Sequence, residues 1–167
     1  MSYALVMANV ELLMHIANDA EEAGNVDLAR EAWERGAALG DADCLMALGH
    51  LHDVGALGVI ADKAKAMGLY RRAWRMGCSA AANNIAVLYR ERGNRRAMFQ
   101  WFSREAQTGD GGANLELAKC YLAGIGVRRS DQAALRCLAA AIQSEYISEV
   151  DREEAHSIME TLRPRAV

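Results

Sequence analysis

Apolar and small residues recur at three- and four-residue intervals along most of the chain. After Gly109, the residues Ala113, Leu117, Ala118, Tyr121 and Leu122 keep helical spacing as far as Gly124, and after a turn Ala134, Leu138, Ala141 and Ile142 do so again. Glycines punctuate these stretches. Gly55, Gly93 and Gly124 follow the first helix of a pair, and Gly40, Gly77 and Gly109 follow the second, where left-handed helix caps favour glycine. The segment Gly40 to Gly49 recurs as Gly77 to Ala86 and as Gly109 to Ala118. Aligning the glycines places Cys44, Ala81 and Ala113 in one column, Leu48, Ile85 and Leu117 in a second, and Gly49, Ala86 and Ala118 in a third. Such self-similarity means that a unit cannot bury its apolar face alone and must pack on its neighbours. Gly24-Asn25 resembles Gly93-Asn94 and marks an initial short unit, with helices near 8–23 and 26–39. The pattern predicts an all-α chain, an α-solenoid of stacked antiparallel helix pairs in one domain over 1–167. Its four units fall at about 8–40, 41–77, 78–109 and 110–144, with a closing helix at about 148–163.

The stretch Gly40 to Gly77 resembles the Sel1-like repeat, a relative of the tetratricopeptide repeat. The matching residues are Cys44, Leu48-Gly49, Gly55, Gly58-Val59, Asp62, Lys65-Ala66, Tyr70, Ala73 and Gly77, and the last unit carries Leu117-Ala118, Tyr121, Gly124-Ile125-Gly126-Val127 and Ala134. His52 stands where a tyrosine is usual, Gly55-Ala56-Leu57-Gly58 is one residue longer than Gly124-Ile125-Gly126, and Asp131 lies one place later after Val127 than Asp62 does after Val59. The unit Gly77 to Gly109 lacks the Gly-Val turn. The resemblance implies an α-solenoid and no chemistry.

Composition is that of an ordinary globular chain: 52% hydrophobic and 25% charged over 167 residues, with Pro164 the single proline. The apolar start carries Glu11, has no Lys or Arg before Arg30, and no run long enough to span a bilayer follows, so neither a secretory leader nor a membrane span is predicted. Cys44, Cys78, Cys120 and Cys137 fall at small or apolar positions read as helical, as reduced buried thiols of a cytoplasmic protein do; a Cys120–Cys137 disulfide is the alternative.

No coherent catalytic or metal-binding constellation emerges. The glycine loops follow helices and lack a Gly-Lys-Ser/Thr, so they are turns and not phosphate cradles. His50 and His52 diverge on a helix; His50 and Asp53 share a face and form the best acid–base pair for an enzyme reading. His15 and His156 are isolated, and Glu21-Glu22 and Glu153-Glu154 point apart on solvated faces. Trp33, Trp74 and Trp101 lie on second helices, where packing is their default role. No cofactor and no metal are expected.

Charge is polarised. Residues 1–67 hold 11 acidic and 4 basic side chains, residues 68–140 hold 5 and 12, and residues 141–167 hold 6 and 3. Arg90, Arg92, Arg95, Arg96, Arg104, Arg128 and Arg129 make the later units basic and suited to an acidic partner surface. The chain as a whole carries −3, against general nucleic-acid binding.

In tetratricopeptide-like stacks the first helices line the binding face. Counting three, six, ten and thirteen residues from each origin glycine gives Asp43, Met46, His50 and Asp53; Ala80, Asn83, Val87 and Arg90; and Gly112, Leu115, Lys119 and Leu122. The initial unit contributes Glu11, Met14, Asn18 and Glu21. An apolar floor flanked by opposed charges suits a peptide, or a helix with an apolar stripe. The leading reading is a non-catalytic adaptor or scaffold for a protein or peptide partner. Size and charge leave an immunity protein or chaperone for a toxin or effector as an alternative, and a histidine- or thiol-dependent enzyme as another. A homodimer through Leu5, Val6, Val10, Leu13 and Met14 is expected if that first helix stays uncovered.

Overall fold

The computed structural model describes residues 3–56 and 58–162, with side-chain environments from residue 9 onward. Among these residues every regular element is an α-helix, and the chain divides into two compact units, Met1–Ala81 and Ala82–Val167. Leu5 and Val6 in their side-chain environments, together with Leu57 and Pro164, lie outside the described residues.

The first unit holds α1 (Tyr3–Glu22), α2 (Val26–Ala38), α3 (Ala42–Val54) and α4 (Lys63–Arg75). Helix starts follow from side-chain caps: Asn25, Asp41 and Asp62 accept backbone N–H groups of α2, α3 and α4. Two accepted N–H bonds, from Lys65 and Ala64, hold the exposed Asp62 carboxyl below the usual range. Helix α3 ends on Gly55 at φ 73°, the left-handed cap anticipated from the glycine pattern. The small-residue columns explain the packing. A Cβ on Gly49 would lie 2.5 Å from the Tyr70 ring, and one on Gly36 would overlap the Cys44 sulfur, so these two glycines set how closely α3 approaches α4 and α2.

The second unit holds α5 (Ala81–Glu91), α6 (Arg95–Ala106), α7 (Gly111–Ala123), α8 (Asp131–Gln143) and α9 (Glu149–Leu162). Ala86, Met98, Phe102, Leu117 and Cys120 form one buried cluster between α5, α6 and α7. Leu115, Ala118, Ala134, Leu138, Ala141 and Ala155 form a second, between α7, α8 and α9. Gly126, at φ 73°, admits the backbone of α6: a Cβ there would strike the Arg95 carbonyl. Helices expected near 26–39 and 148–163 correspond to α2 and α9, whereas α1, expected from about residue 8, begins earlier.

Candidate functional site

The first-helix face of the last pair is covered by the chain itself. Ala155, Ile158, Met159 and Leu162 of α9 make a stripe at helical spacing that packs on the cluster around Leu115, with Leu122 against the same cluster. Lys119 reaches Glu154 at 2.9 Å and Glu116 at 3.2 Å. Burial works against the Lys119 ammonium, but these two hydrogen bonds outweigh it and raise its pKa above the ordinary value. Leu115, expected on an open groove floor, is only 1% exposed; this corrects the sequence reading, because α9 supplies the apolar stripe that covers it.

The turn that brings α9 there is stitched at both ends. Ser144 donates from Oγ to the Gly109 carbonyl at 2.7 Å, and the Gly111 N–H donates to the Tyr146 carbonyl at 2.8 Å. Arg152 donates to the carbonyls of Ile142 and Ser144 at 2.6 and 3.1 Å, satisfying the end of α8. Ser148 caps α9, accepting from Asp151 N–H and donating to its carboxylate. Gly111 makes the approach possible, since a Cβ would sit 2.6 Å from Ile147 Cβ and 2.9 Å from Ser144 Cβ.

Beside this turn, between α5, α6, α7 and the start of α9, lies a concave pocket of about 460 Å³. Asn83, Val87 and Arg90 form its α5 wall, and Glu105, Asp110 and Asp151 bring carboxylates to it. Glu105 is 6% exposed, and its Oε2 has no hydrogen-bond partner among the described residues. Burial, with the charge of Asp110 adding to it, pushes the Glu105 pKa up to about 8, against a backbone N–H bond from Asn83. Arg90 is engaged elsewhere, on Glu116 at 3.1 Å.

Two solved structures share this architecture. The Sel1 repeat protein from Oxalobacter formigenes aligns with TM-score 0.71 and 20% identity over 93% of this chain and 73% of its own. The protective antigen c5321 of uropathogenic Escherichia coli, which displays an SLR fold, aligns with TM-score 0.70 and 20% identity over 96% of this chain and 42% of its own. This chain has the Sel1-repeat fold. At that identity the likeness carries the fold alone, and this chain spans less than half the length of the antigen. The immunity protein Pa5087 from Pseudomonas aeruginosa aligns with TM-score 0.37 and 14% identity over 80% of this chain and 73% of its own, too low to bear on function. No family model and no curated relative matches the sequence.

Within the Sel1-type pairs the predicted face residues separate. Asn83, Val87, Arg90 and Leu115 meet at the pocket, Leu115 at its buried edge. Glu11, Asn18, Glu21, Asp43 and His50 are exposed in the first unit, and Met46 is half-buried. Met14, expected to face outward, turns instead toward α3, its sulfur 3.1 Å from Cys44 Sγ. Asp53 also departs from expectation: it bonds Lys63 at 2.5 Å and the Tyr70 hydroxyl at 3.3 Å, so the acid–base pair with His50 is spent on holding α4. His52 fills the tyrosine position of its column, and burial lowers its pKa. Val10 is buried and Leu13 half-buried, so part of the stripe that motivated a homodimer is used within the chain.

The arginine cluster is dispersed. Arg90 pairs with Glu116, Arg129 with Asp131 at 3.2 Å, and Arg104 lies 4.3 Å over the Trp101 ring, while Arg95 and Arg96 are exposed on the first turn of α6. The cysteines are free thiols, and Cys78 lies in the turn before α5 and not in a helix. Among the described residues no three His, Cys, Asp or Glu side chains come together in a metal-holding group, and no helix is long and apolar enough to cross a membrane.

Glu105, Asp110, Tyr146 and Asp151 escaped the sequence reading. Glu105 alone left a signal: it continues the buried stripe of Met98 and Phe102, four and seven residues on from Met98, where a carboxylate is out of place.

Proposed function

We propose that the chain is a non-catalytic interaction module, an adaptor or scaffold that receives a protein or peptide segment on a first-helix face. One observation supports this above the others: the corresponding face of the last pair already carries an amphipathic, acidic helix, α9, seated by an apolar stripe and the Lys119–Glu154 pair. The face of α5, with half-buried Val87 flanked by exposed Asn83 and Arg90, offers the same mixture of apolar floor and charge. A pull-down from the native host with wild-type chain and an Asn83→Arg/Val87→Arg variant tests the reading. Both positions keep some exposure, so the variant retains the fold, checked by circular dichroism. Loss of the same partners supports the α5 face; their full retention removes it.

A further inference from the structure

From the buried carboxylate and its neighbours we infer that the pocket between α5, α6, α7 and the start of α9 binds one organic cation, an alkylammonium or guanidinium group. It goes beyond the docking role and does not depend on it, since the cation can come from a free amine or from a partner's Lys or Arg side chain.

Three observations converge. Glu105 is a carboxylate more than nine-tenths buried in the pocket wall, with Oε2 lacking a hydrogen-bond partner. Such an orphan acceptor is rare in folded chains and is normally satisfied by a donor. Second, the groups facing it are unbalanced. From the N-cap of α7 comes Asp110, which spends Oδ1 on the Ala113 N–H, and from α7 Glu116, which holds Arg90 of α5; from the start of α9 comes Asp151, whose Oδ2 accepts the Ser148 hydroxyl. Among the described residues Arg90 is thus the one cation lining the pocket, against four carboxylates, and it is committed to Glu116. Third, Tyr146 stands on the rim with 71% of its surface exposed, an aromatic ring placed where a cation enters.

The volume of about 460 Å³ admits an amino-acid-sized head group. A divalent metal is the poorer fit, as the described carboxylates do not gather into a three-ligand group. Guanidinium and ammonium donors need only one or two oxygens each, and the carboxyl of Glu105, a lining residue of the pocket, supplies the first.

Because the Glu105 pKa is about 8, the empty pocket holds a protonated carboxyl at neutral pH, and cation binding expels that proton to solvent. The O–H bond breaks, the carboxylate keeps the electron pair, and the ligand's N–H donors replace the proton. Binding therefore strengthens as pH rises toward 8.

The test titrates the full chain by NMR with butylguanidinium, with a short blocked peptide containing one arginine, and with the same peptide carrying citrulline. The cationic probes should shift the resonances of Glu105, Asp110 and Tyr146, with affinity rising about tenfold for each unit of pH below the Glu105 pKa. Citrulline should not bind. Glu105→Gln, which mimics the protonated acid and preserves the fold, should weaken binding about tenfold or more and abolish its pH dependence. Tyr146→Ala should weaken it by a smaller factor. Equal affinity of butylguanidinium and the peptide points to a free amine, and tighter peptide binding to a partner side chain. Absence of shifts at low-millimolar probe, or undiminished binding to a folded Glu105→Gln chain, overturns the inference and leaves the α5 docking face standing on its own test.

Discussion

Lys119 of α7 and Glu154 of α9, 35 residues apart in sequence, meet at 2.9 Å across the face that the last helix pair would otherwise present to solvent. The contact marks where the closing helix sits, but it is not what holds it there. Both side chains are more than a third exposed, so solvent screens the pair, and a double-mutant cycle with Lys119→Gln and Glu154→Gln should give a coupling of about 0.5 kcal/mol. Ala155→Asp, which forces a charge into a position with no exposure, should cost about 3 kcal/mol in urea denaturation. A coupling energy larger than the Ala155 effect would reverse this ranking.

Adjacent glycines at the start of α7 should behave differently. Gly111→Ala places a methyl 2.6 Å from Ile147 Cβ and against the Ala141 carbonyl, where backbone and turn must move, and should lose about 2 kcal/mol. Gly112→Ala meets the Asp110 carboxylate at 3.3 Å and the Asp151 carboxylate at an ordinary 3.9 Å and gains helix propensity, so it should stay within about 1 kcal/mol of wild type. Thermal melts of the two single variants compare them directly.

Glu105 predicts a pH dependence of stability. Its ordinary value of 4.5 is raised to about 8 in the folded chain, so between these values the folded state holds a proton that the unfolded state has released. Stability from this group is greatest below about 4.5, falls as pH rises by up to about 1.4 kcal/mol per unit, and reaches its full deficit above about 8. Glu105→Gln should remove that slope and be the more stable chain at pH 8.5 to 9, roughly. Parallel slopes for both chains between pH 4.5 and about 8 would mean that Glu105 ionises as an ordinary carboxylate.

Thiol reactivity should follow burial. Burial first, then the bond and charge of Asp41, push the Cys44 thiol up to about 12, and burial with the Glu116 charge pushes Cys120 up to about 11. Cys78 sits half-buried in a turn. Alkylation of the native chain followed by mass mapping should label Cys78 first, with Cys44 and Cys120 protected until unfolding. Early labelling of Cys44 would contradict the packing of α1 and α2 around it.

The helical class and the pairing of helices were legible in the chain because they rest on local rules. Apolar spacing set the faces and Gly55 and Gly124 the left-handed ends, while the caps Asn25, Asp41 and Asp62 at the starts emerged with the structure. The alanine and glycine columns likewise announced close helix contact, which Gly49 against Tyr70 bears out. Counting along first helices could not foresee that Met14 turns to Cys44 or that Asp53 serves Lys63 and Tyr70, because a position's periodicity gives its face but not what lies opposite.

The sequence by itself determined the repeat, its helices and a closing helix near 148–163, each a property of neighbours a few positions apart. Only the tertiary structure decided that this last helix folds back over Leu115 and Lys119, and that Glu105, Asp110 and Asp151 converge on one pocket. These contacts join residues tens of positions apart, and they depend on a turn whose course is fixed by the bare backbone of Gly111 and by Arg152 closing the end of α8. Local propensity gives no information at that range, because the free energy that selects the arrangement comes from burial and from polar groups satisfied across the fold.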